Sequence, residues 1–527
     1  MNDTDQARFN ALLEWSKAHG GTVHPTLEVY KDDVTGFSMR VKPSSTGGTD
    51  ATITSGEEIL ACPFRTSLSF LNATRGGPIL SRQSERAEAR PVFPTRFMET
   101  QPHVIGHFFL MKQYLMGKDS FWHPYISTLP QPDSISSWSL PPFWPEEDFR
   151  FLGGTNAAVA AQEIQANVKR DYRQARKILK EEGFENWQDY TRHLFNWAFA
   201  IFASRSFRPS LVTPAAVQER ELPENVGIDD FAMLLPVYDV INHHPKANVR
   251  WAVDDHSGAP EACHFITFDS YKPGEQVFNT YGKKTNSELL LSYGFMLPES
   301  EGFHNDYVHL RKKEKASAAN EQTGVETPDE AGASRASKKP PRDFLVSLRP
   351  FNHQSSFVGQ NRNWVAREAG FDIRPEFSHV EDNLVWDMCL SIPGPDKKNS
   401  FIGSVLSTAG EERPPTPEYQ SEHEQAALRK ILSSSSASSE QIESLVTDVR
   451  RLLLSKMGME YDKFLMEDPR FGEDEEGNVV EFDVEPKTRN QEIAVQYRKQ
   501  VMKVLENSIR TLLPDNLRME DQGVEEE

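Results

Sequence analysis

The sequence predicts an α+β chain in which two β-rich stretches flank a helical insert and a mostly α-helical C-terminal domain follows. Three observations predict this. VHPTLEVYKDDVTGFSMRVKP (Val23 to Pro43) and SGEEILACPF (Ser55 to Phe64) read as short strands joined by turns. From Pro102 to Phe207 the pattern turns helical. Residues 155–183 set Ile164, Val168, Tyr172, Ala175 and Leu179 on one face with charges between them, and WAFAIFASRSF (Trp197 to Phe207) is apolar enough for a buried helix. Finally, Gln441 to Phe464 and Asn490 to Leu513 carry helical spacing, as in Ile493, Val495, Tyr497, Val501, Val504 and Leu505.

Taken in order, residues 1–101 open with an amphipathic helix over 7–19, built on Phe9, Leu12, Leu13 and Trp15 and stopped by Gly20-Gly21, before the first strands. Residues 102–230 form the helical insert, and 231–300 return to strands. Residues 301–342 are a connection whose Lys312 to Arg342 part, rich in Lys, Glu, Ala, Ser and Pro, has a disordered linker's composition. Residues 343–527 form the helical domain, interrupted near 408–440 by TAGEERPPTPEYQS and the serine run Ser433 to Ser439, and the acidic tail VEEE frays.

Composition excludes several classes. With 58 Lys and Arg against 78 Asp and Glu, the net charge of -20 disfavours non-specific binding to nucleic acid or anionic membrane and favours a basic protein partner. Only three cysteines occur, Cys62, Cys263 and Cys389, in no CxxC spacing, which excludes a Cys₄ zinc site and a disulfide framework and implies a reducing compartment. MNDTDQARFN lacks the basic and apolar regions of a signal peptide, and no apolar run approaches the roughly 20 residues that span a bilayer. A soluble monomer of cytoplasm or nucleus is expected, and no internal repeat or heptad pattern long enough for a coiled coil occurs.

The chain is organised around Leu234 to Pro298. LLPVYDVINHHP opens this stretch, a short apolar run follows from His264 to Phe268, and YKPGEQVFNTYGKKTNSELLLSYGFMLP closes it. The Pro273-Gly274 pair before alternating apolar residues reads as a turn feeding a strand over Gln276 to Thr280, which delivers Tyr281 to a strand end. Singly these residues are ordinary turn and strand-end chemistry. Together Asp239, Asn242, His243, Gly274, Glu275, Tyr281, Gly282, Asn286, Glu288, Leu289, Leu290, Tyr293, Gly294 and Phe295 form a long compound pattern. It resembles the C-terminal half of a SET domain, in the branch typified by Rubisco large-subunit lysine methyltransferase.

The resemblance extends to Thr35-Gly36-Phe37-Ser38-Met39, similar to the branch's cofactor-approaching glycine turn but with Ser38 at the second glycine. It also takes in WHPYISTLP (Trp122 to Pro130), Trp144-Pro145-Glu146-Glu147 before Gly153-Gly154-Thr155, Ser204-Arg205-Ser206-Phe207 and the final helix NQEIAVQYRKQVMKVLE. What it implies is a SET domain split by a helical insert, with a helical domain thought to hold the protein substrate. S-adenosylmethionine would be the cofactor, bound by Thr35, Gly36, Phe37, Arg205, Asn242 and His243. Tyr281 would be the catalytic tyrosine, with Tyr293 a second channel residue and Asp239 orienting the substrate amine or pairing with Arg205. Gly274, Glu275 and 286–291 are structural, with Glu275 supporting a turn, and no metal is implied.

The residue types suit methyl transfer to an amine. A lysine amine, with a pKa near about 10.4 in water, must lose its proton before it attacks. Burial in an apolar channel beside a sulfonium lowers that pKa, while a tyrosine walls the channel and offers a hydroxyl without full charge. The expectation is a protein-lysine N-methyltransferase acting on a non-histone protein. Two alternatives stay open: a histidine target, and a SET scaffold without catalysis, motivated by Ser38 and the long 43–53 connection.

Overall fold

The computed structural model describes residues 1–44, 52–79, 90–134, 139–253, 261–311, 343–359, 362–363, 372–392, 401–408, 422–434, 439–473, 479–481 and 484–514. The 312–342 linker, the acidic tail, most of the 43–53 connection and most of the low-complexity stretch near 408–440 lie outside them. The chain divides into two compact units. Met1–Trp144, Ala160–Lys283 and Glu288–Gly294 make the first; Pro145–Val159, Lys284–Ser287 and Phe295–Glu527 make the second.

The first unit opens with the helix Asp3–Ala18, where the Asn2 side chain accepts the Asp5 N–H at 2.8 Å, and Asp3 and Asp5 complement the positive end of the helix dipole. Strands β1 (Thr22–Val23), β2 (Leu27–Asp32), β3 (Gly36–Val41) and β4 (Glu58–Pro63) follow. β2 and β3 form an antiparallel hairpin with Asp32 opposite Gly36. Its turn is set by Asp32, whose Oδ1 accepts the N–H groups of Val34 at 2.9 Å and Thr35 at 2.7 Å, and by Gly36 at φ +77°.

β5 (Leu68–Ser69), β6 (Ser206–Phe207) and β7 (Met233–Leu234) make a three-stranded sheet in the order β5-β7-β6. β8 (Val249–Ala252) and β9 (Ala262–Thr267) complete a four-stranded sheet, β1-β4-β9-β8. Cys62 and Cys263 are register partners across β4 and β9, and all three cysteines are buried free thiols.

Between β5 and β6 runs the helical insert. The helix Pro102–Met116 starts with proline, whose missing N–H costs nothing in the first turn, and buries Val104, Ile105, Phe108 and Phe109. It packs against Arg192–Arg205, where Thr191 caps the Leu194 N–H at 3.2 Å. On the helix Asn156–Glu181 the predicted face is buried at Val168, Tyr172, Ala175 and Leu179 and half-buried at Ile164. Two fully buried indoles are satisfied: Trp122 Nε1 donates to the Thr66 carbonyl at 3.0 Å and Trp197 Nε1 to the Pro130 carbonyl at 2.7 Å.

The second unit holds the antiparallel pair β10 (Tyr307–Arg311) and β11 (Asp343–Ser347), so part of the predicted connection is strand. Its long helices, Glu440–Met466 and Arg489–Leu512, pack on each other, the latter burying Ala494, Tyr497, Val501, Val504, Leu505 and Leu512. Between them Arg498 is wholly buried: Nε donates to Asp468 Oδ2 at 2.8 Å, the terminal nitrogens to the carbonyls of Gly153 and Phe464. Gly154, at φ +72°, lets this layer close, since a Cβ there would meet the Lys463 carbonyl at 2.8 Å.

One expected element differs. Gln276 to Thr280 is not a regular strand but an extended segment held by single bridges, Arg40 to Gln276 antiparallel and His243 to Asn279 parallel. It changes partners midway, so neither pairing lasts long enough to be a ladder. No helix among the described residues is long and apolar enough to cross a membrane.

Nothing lies within 4 Å of a Cβ built on Gly36, so Gly36→Ala meets only the conformational penalty of positive φ. It should lower unfolding free energy by about 1–2 kcal/mol, read by denaturant titration; an unchanged midpoint would show that the turn relaxes out of the left-handed region.

Candidate active site

Three parts of the first unit meet where the chain from Gly274 to Asn279 runs between β3 and residues 242–244. On one side Gly274 N–H donates to Val41 O at 2.9 Å, Val41 N–H to Glu275 O at 3.0 Å and Val277 N–H to Met39 O at 2.9 Å. On the other, Asn279 N–H donates to Asn242 O and His244 N–H to Asn279 O, each at 2.8 Å. The turn before it is closed as expected, with Glu275 Oε2 accepting the Lys272 N–H at 2.8 Å.

Asp239 sits in a 3₁₀ turn, Tyr238–Val240, behind Val237 at φ +71°, an outlier for a β-branched residue and a point of local strain. Its side chain is 1% exposed. Arg205, the last residue of Arg192–Arg205, reaches it with Nη1, 3.3 Å from both Oδ2 and the main-chain carbonyl, and the Tyr125 hydroxyl donates to Oδ2 at 2.8 Å. Oδ1 is buried with no hydrogen-bond partner among the described residues. Burial pushes the Asp239 carboxyl above its ordinary range while Arg205 and Tyr125 oppose it. Burial disfavours the Arg205 cation, but Asp239, Tyr125 and Tyr281 together outweigh it and hold the guanidinium protonated.

Tyr281 stands in a stack of three rings. His243 lies on one side at 5.0 Å and 18°, Tyr293 at 4.9 Å and 24°. The Tyr281 N–H donates to His243 Nδ1 at 3.0 Å, which leaves Nε2 as the proton-bearing nitrogen of a neutral ring, and the Tyr281 hydroxyl donates to the Ile241 carbonyl at 3.1 Å. Burial drives the Tyr281 pKa far above that of a free phenol, with Arg205 opposing, and pushes Tyr293 up to about 12. Both are neutral phenols at physiological pH.

Asn242 bridges to the hairpin: its Nδ2 donates to the Thr35 carbonyl at 3.4 Å and to Gln276 Oε1 at 3.2 Å. Thr35, Gly36, Asn242, His243, Asp239, Arg205, Tyr281 and Tyr293 are thus linked through hydrogen bonds, stacked rings or chain adjacency. Phe37 is not joined to them by its side chain, since its ring packs on Phe9 at 4.7 Å. Ser38 is fully buried, its hydroxyl without a hydrogen-bond partner among the described residues. Also among those residues, no group of three or more His, Cys, Asp or Glu could hold a metal.

No protein-family model matches the chain. It is similar to curated proteins: 27% identical over 312 residues to the ribosomal lysine N-methyltransferase set10 of Schizosaccharomyces pombe, covering 57% of this chain and 50% of that one. It is 23% identical over 363 residues to the N-lysine methyltransferase SETD6 of Bos taurus, covering 68% and 70%. It is 21% identical over 294 residues to the actin-histidine N-methyltransferase of Homo sapiens, covering 54% and 42%. The matched part spans about half the length of the first and the last of these. The structure of Rubisco LSMT bound to AdoMet superposes with a TM-score of 0.54 at 17% identity, over 97% of this chain and 92% of that one, which shows the fold. The chain has the fold of the SET-domain protein Rubisco LSMT.

Sequence reasoning missed four residues of this site. Tyr125 lay inside the WHPYISTLP phrase, but nothing in sequence tied it to Asp239, 114 positions away. Asn279, fully buried, takes the Trp251 indole N–H on Oδ1 at 3.0 Å and the Thr280 N–H at 2.8 Å, and so braces the peptide before Tyr281. Gln276 and Tyr30 join the Asn242 network. A polar residue among apolar neighbours, as Asn279 is in VFNTYG, was the available signal.

Tyr125→Phe removes a hydrogen bond to a buried, charge-paired carboxylate and should cost about 1.5–3 kcal/mol of stability. Asp239→Ala leaves Arg205 without its counter-charge and should cost more, about 3–5 kcal/mol. Denaturant unfolding of the two variants checks the order; Tyr125→Phe at wild-type stability would mean that the phenol does not bond the carboxylate.

Proposed function

We propose that this chain is an S-adenosylmethionine-dependent protein-lysine N-methyltransferase acting on a non-histone protein, with the cytoplasm or nucleus as its compartment. The observation that carries the reading is a buried, neutral Tyr281 held between His243 and Tyr293, within the field of the Arg205–Asp239 pair. Similarity to two proteins named as lysine N-methyltransferases supports the lysine target. The net charge of -20 favours a basic protein as substrate.

The residues present fit the cofactor. Arg205 spends only Nη1 on Asp239 and its side chain is 26% exposed, so guanidinium donors remain for a carboxylate. The buried Asp239 Oδ1 lacks a partner, and the space beside Gly36 is open. On this reading the Thr35–Gly36 turn, Arg205, Asn242 and His243 hold it and Phe37 contributes backbone only. When bound, S-adenosylmethionine supplies an electrophilic methyl on a sulfonium whose charge disfavours a protonated amine beside it.

The chain's own residues do the rest. Because the Tyr281 hydroxyl already donates to Ile241, its oxygen faces an incoming amine as an acceptor and can orient the N–H groups so that the nitrogen lone pair lies in line. The Tyr281 and Tyr293 rings wall the approach and exclude water, which lowers the amine's pKa by desolvation. As neutral phenols, Tyr281 and Tyr293 add no negative charge that would hold the proton on the amine.

A histidine target is a second reading, favoured by the similarity to the actin-histidine N-methyltransferase. Lysate treated with the protein and methyl-labelled S-adenosylmethionine, followed by mass spectrometric localisation of the label, separates the two: label on lysine is expected, label on histidine selects the second reading, and no label with a folded protein that fails to bind S-adenosylmethionine points to the non-catalytic scaffold. Tyr281→Phe should lower turnover by about a hundredfold with cofactor affinity nearly unchanged, and Asn242→Ala should weaken S-adenosylmethionine binding in calorimetric titration. Equal loss of turnover and affinity in Tyr281→Phe would move that residue out of the catalytic role.

A further inference from the structure

An amide side chain offers a donor and an acceptor of nearly the same shape, so the polarity of Asn242 has to come from its neighbours. The Thr35 carbonyl can only accept, and it lies 3.4 Å from Asn242 Nδ2. The same nitrogen is 3.2 Å from Gln276, which must therefore present Oε1 there and turn its own Nε2 toward the Tyr30 hydroxyl. Tyr30 is itself held, its ring 4.6 Å below the Arg40 guanidinium, while Arg40 Nε bonds Glu28 Oε1 at 2.8 Å and the Arg40 backbone bridges to Gln276. Both Nδ2 hydrogens of Asn242 are thus committed, and its remaining hydrogen-bonding group is the carbonyl Oδ1.

We propose that Gln276, backed by Tyr30, is a positioning residue that locks the Asn242 amide so that it serves the cofactor only as an acceptor, selecting an N–H, ammonium or hydroxyl donor on the ligand. This rests on the reading that Asn242 contacts an S-adenosyl ligand. Without the lock, the amide could offer its NH₂ to that same donor, a contact of like polarity. Gln276 need not touch the ligand; its effect passes through Asn242.

The proposal predicts that polarity, not size, decides what position 276 tolerates. Gln276→Glu keeps an acceptor toward Asn242, and the Tyr30 hydroxyl can rotate to donate to the other oxygen. Gln276→Lys puts a donor where the acceptor was and should turn the Asn242 amide over. The probe is S-adenosylhomocysteine, a zwitterion without the sulfonium charge, titrated calorimetrically into the full chain at low and high salt, with a thermal melt of each variant. Expected is a Glu variant within a few-fold of wild type and a Lys variant weakened about ten- to hundredfold at both salts. A loss that salt removes is a field effect rather than a locked amide and overturns the proposal.

Equal affinity in the two variants, or equal loss accompanied by equal loss of melting temperature, also overturns it and assigns Gln276 to packing. Wild-type protein that folds but does not bind S-adenosylhomocysteine overturns the cofactor reading as well, so the two failures are told apart. Tyr30→Phe, which removes the far partner of Gln276 and keeps the ring beneath Arg40, should weaken binding a few-fold without shifting the melt; wild-type affinity there would overturn the backing role of Tyr30.

Discussion

The site depends on the backbone between Gly274 and Asn279 being hydrogen-bonded on both flanks. Val277 and Asn279 are fully buried, and buried amides must find partners; here they find them on β3 and then on residues 242–244. Two regions some two hundred residues apart are thereby fixed against each other without a long ladder. The alternation of an extended chain makes the arrangement exacting: a slip of one residue would turn every side chain from Gln276 to Tyr281 to the opposite face. Gln276 reaching Asn242, Asn279 reaching Trp251 and Tyr281 reaching Ile241 all follow from that one register.

Charge at the site is managed by pairing rather than by solvent. A carboxylate as buried as Asp239 is costly alone, and a guanidinium at the end of an apolar helix is scarcely better. Each makes the other tolerable, and Tyr125 adds a neutral donor. The pairing is incomplete in a useful way, because Arg205 spends one nitrogen and Asp239 one side-chain oxygen. A site already satisfied within the protein would have nothing left for a charged ligand. The strained Val237 lies just before this pair, and its backbone cost is borne by the surrounding packing.

Much of this was legible in the sequence because periodicity and turn chemistry are local. The helix over 155–183, the hairpin closed at Gly36 and the C-terminal helices follow from spacing, caps and glycine. What stayed hidden was set by tertiary partners. Gln276 to Thr280 has strand composition, yet it trades one neighbour for another and never forms a ladder. Phe37 belongs to the turn by sequence but sends its ring to Phe9, since an aromatic next to an apolar helix face gains more by burial. Tyr125 is one of thirteen tyrosines, and only folding brings it to Asp239.

The protonation pattern bears on how far the site itself can choose its nucleophile. On the methyltransferase reading Tyr281 offers an acceptor, because its hydrogen is committed to Ile241. A lysine amine carries N–H groups on the attacking nitrogen itself, whereas a neutral imidazole attacks through its unprotonated nitrogen and bears its N–H on the other one, so this contact favours the amine. His243 is not placed to serve as a base through Nδ1, which already accepts the Tyr281 N–H. Deprotonation then falls to desolvation, which a lysine with a pKa near about 10.4 needs far more than an imidazole near about 6.5. A channel walled by Tyr281 and Tyr293 meets the stricter requirement and therefore the laxer one, so desolvation does not discriminate and the choice falls to the acceptor contact, the shape of the walls and the protein that delivers the side chain.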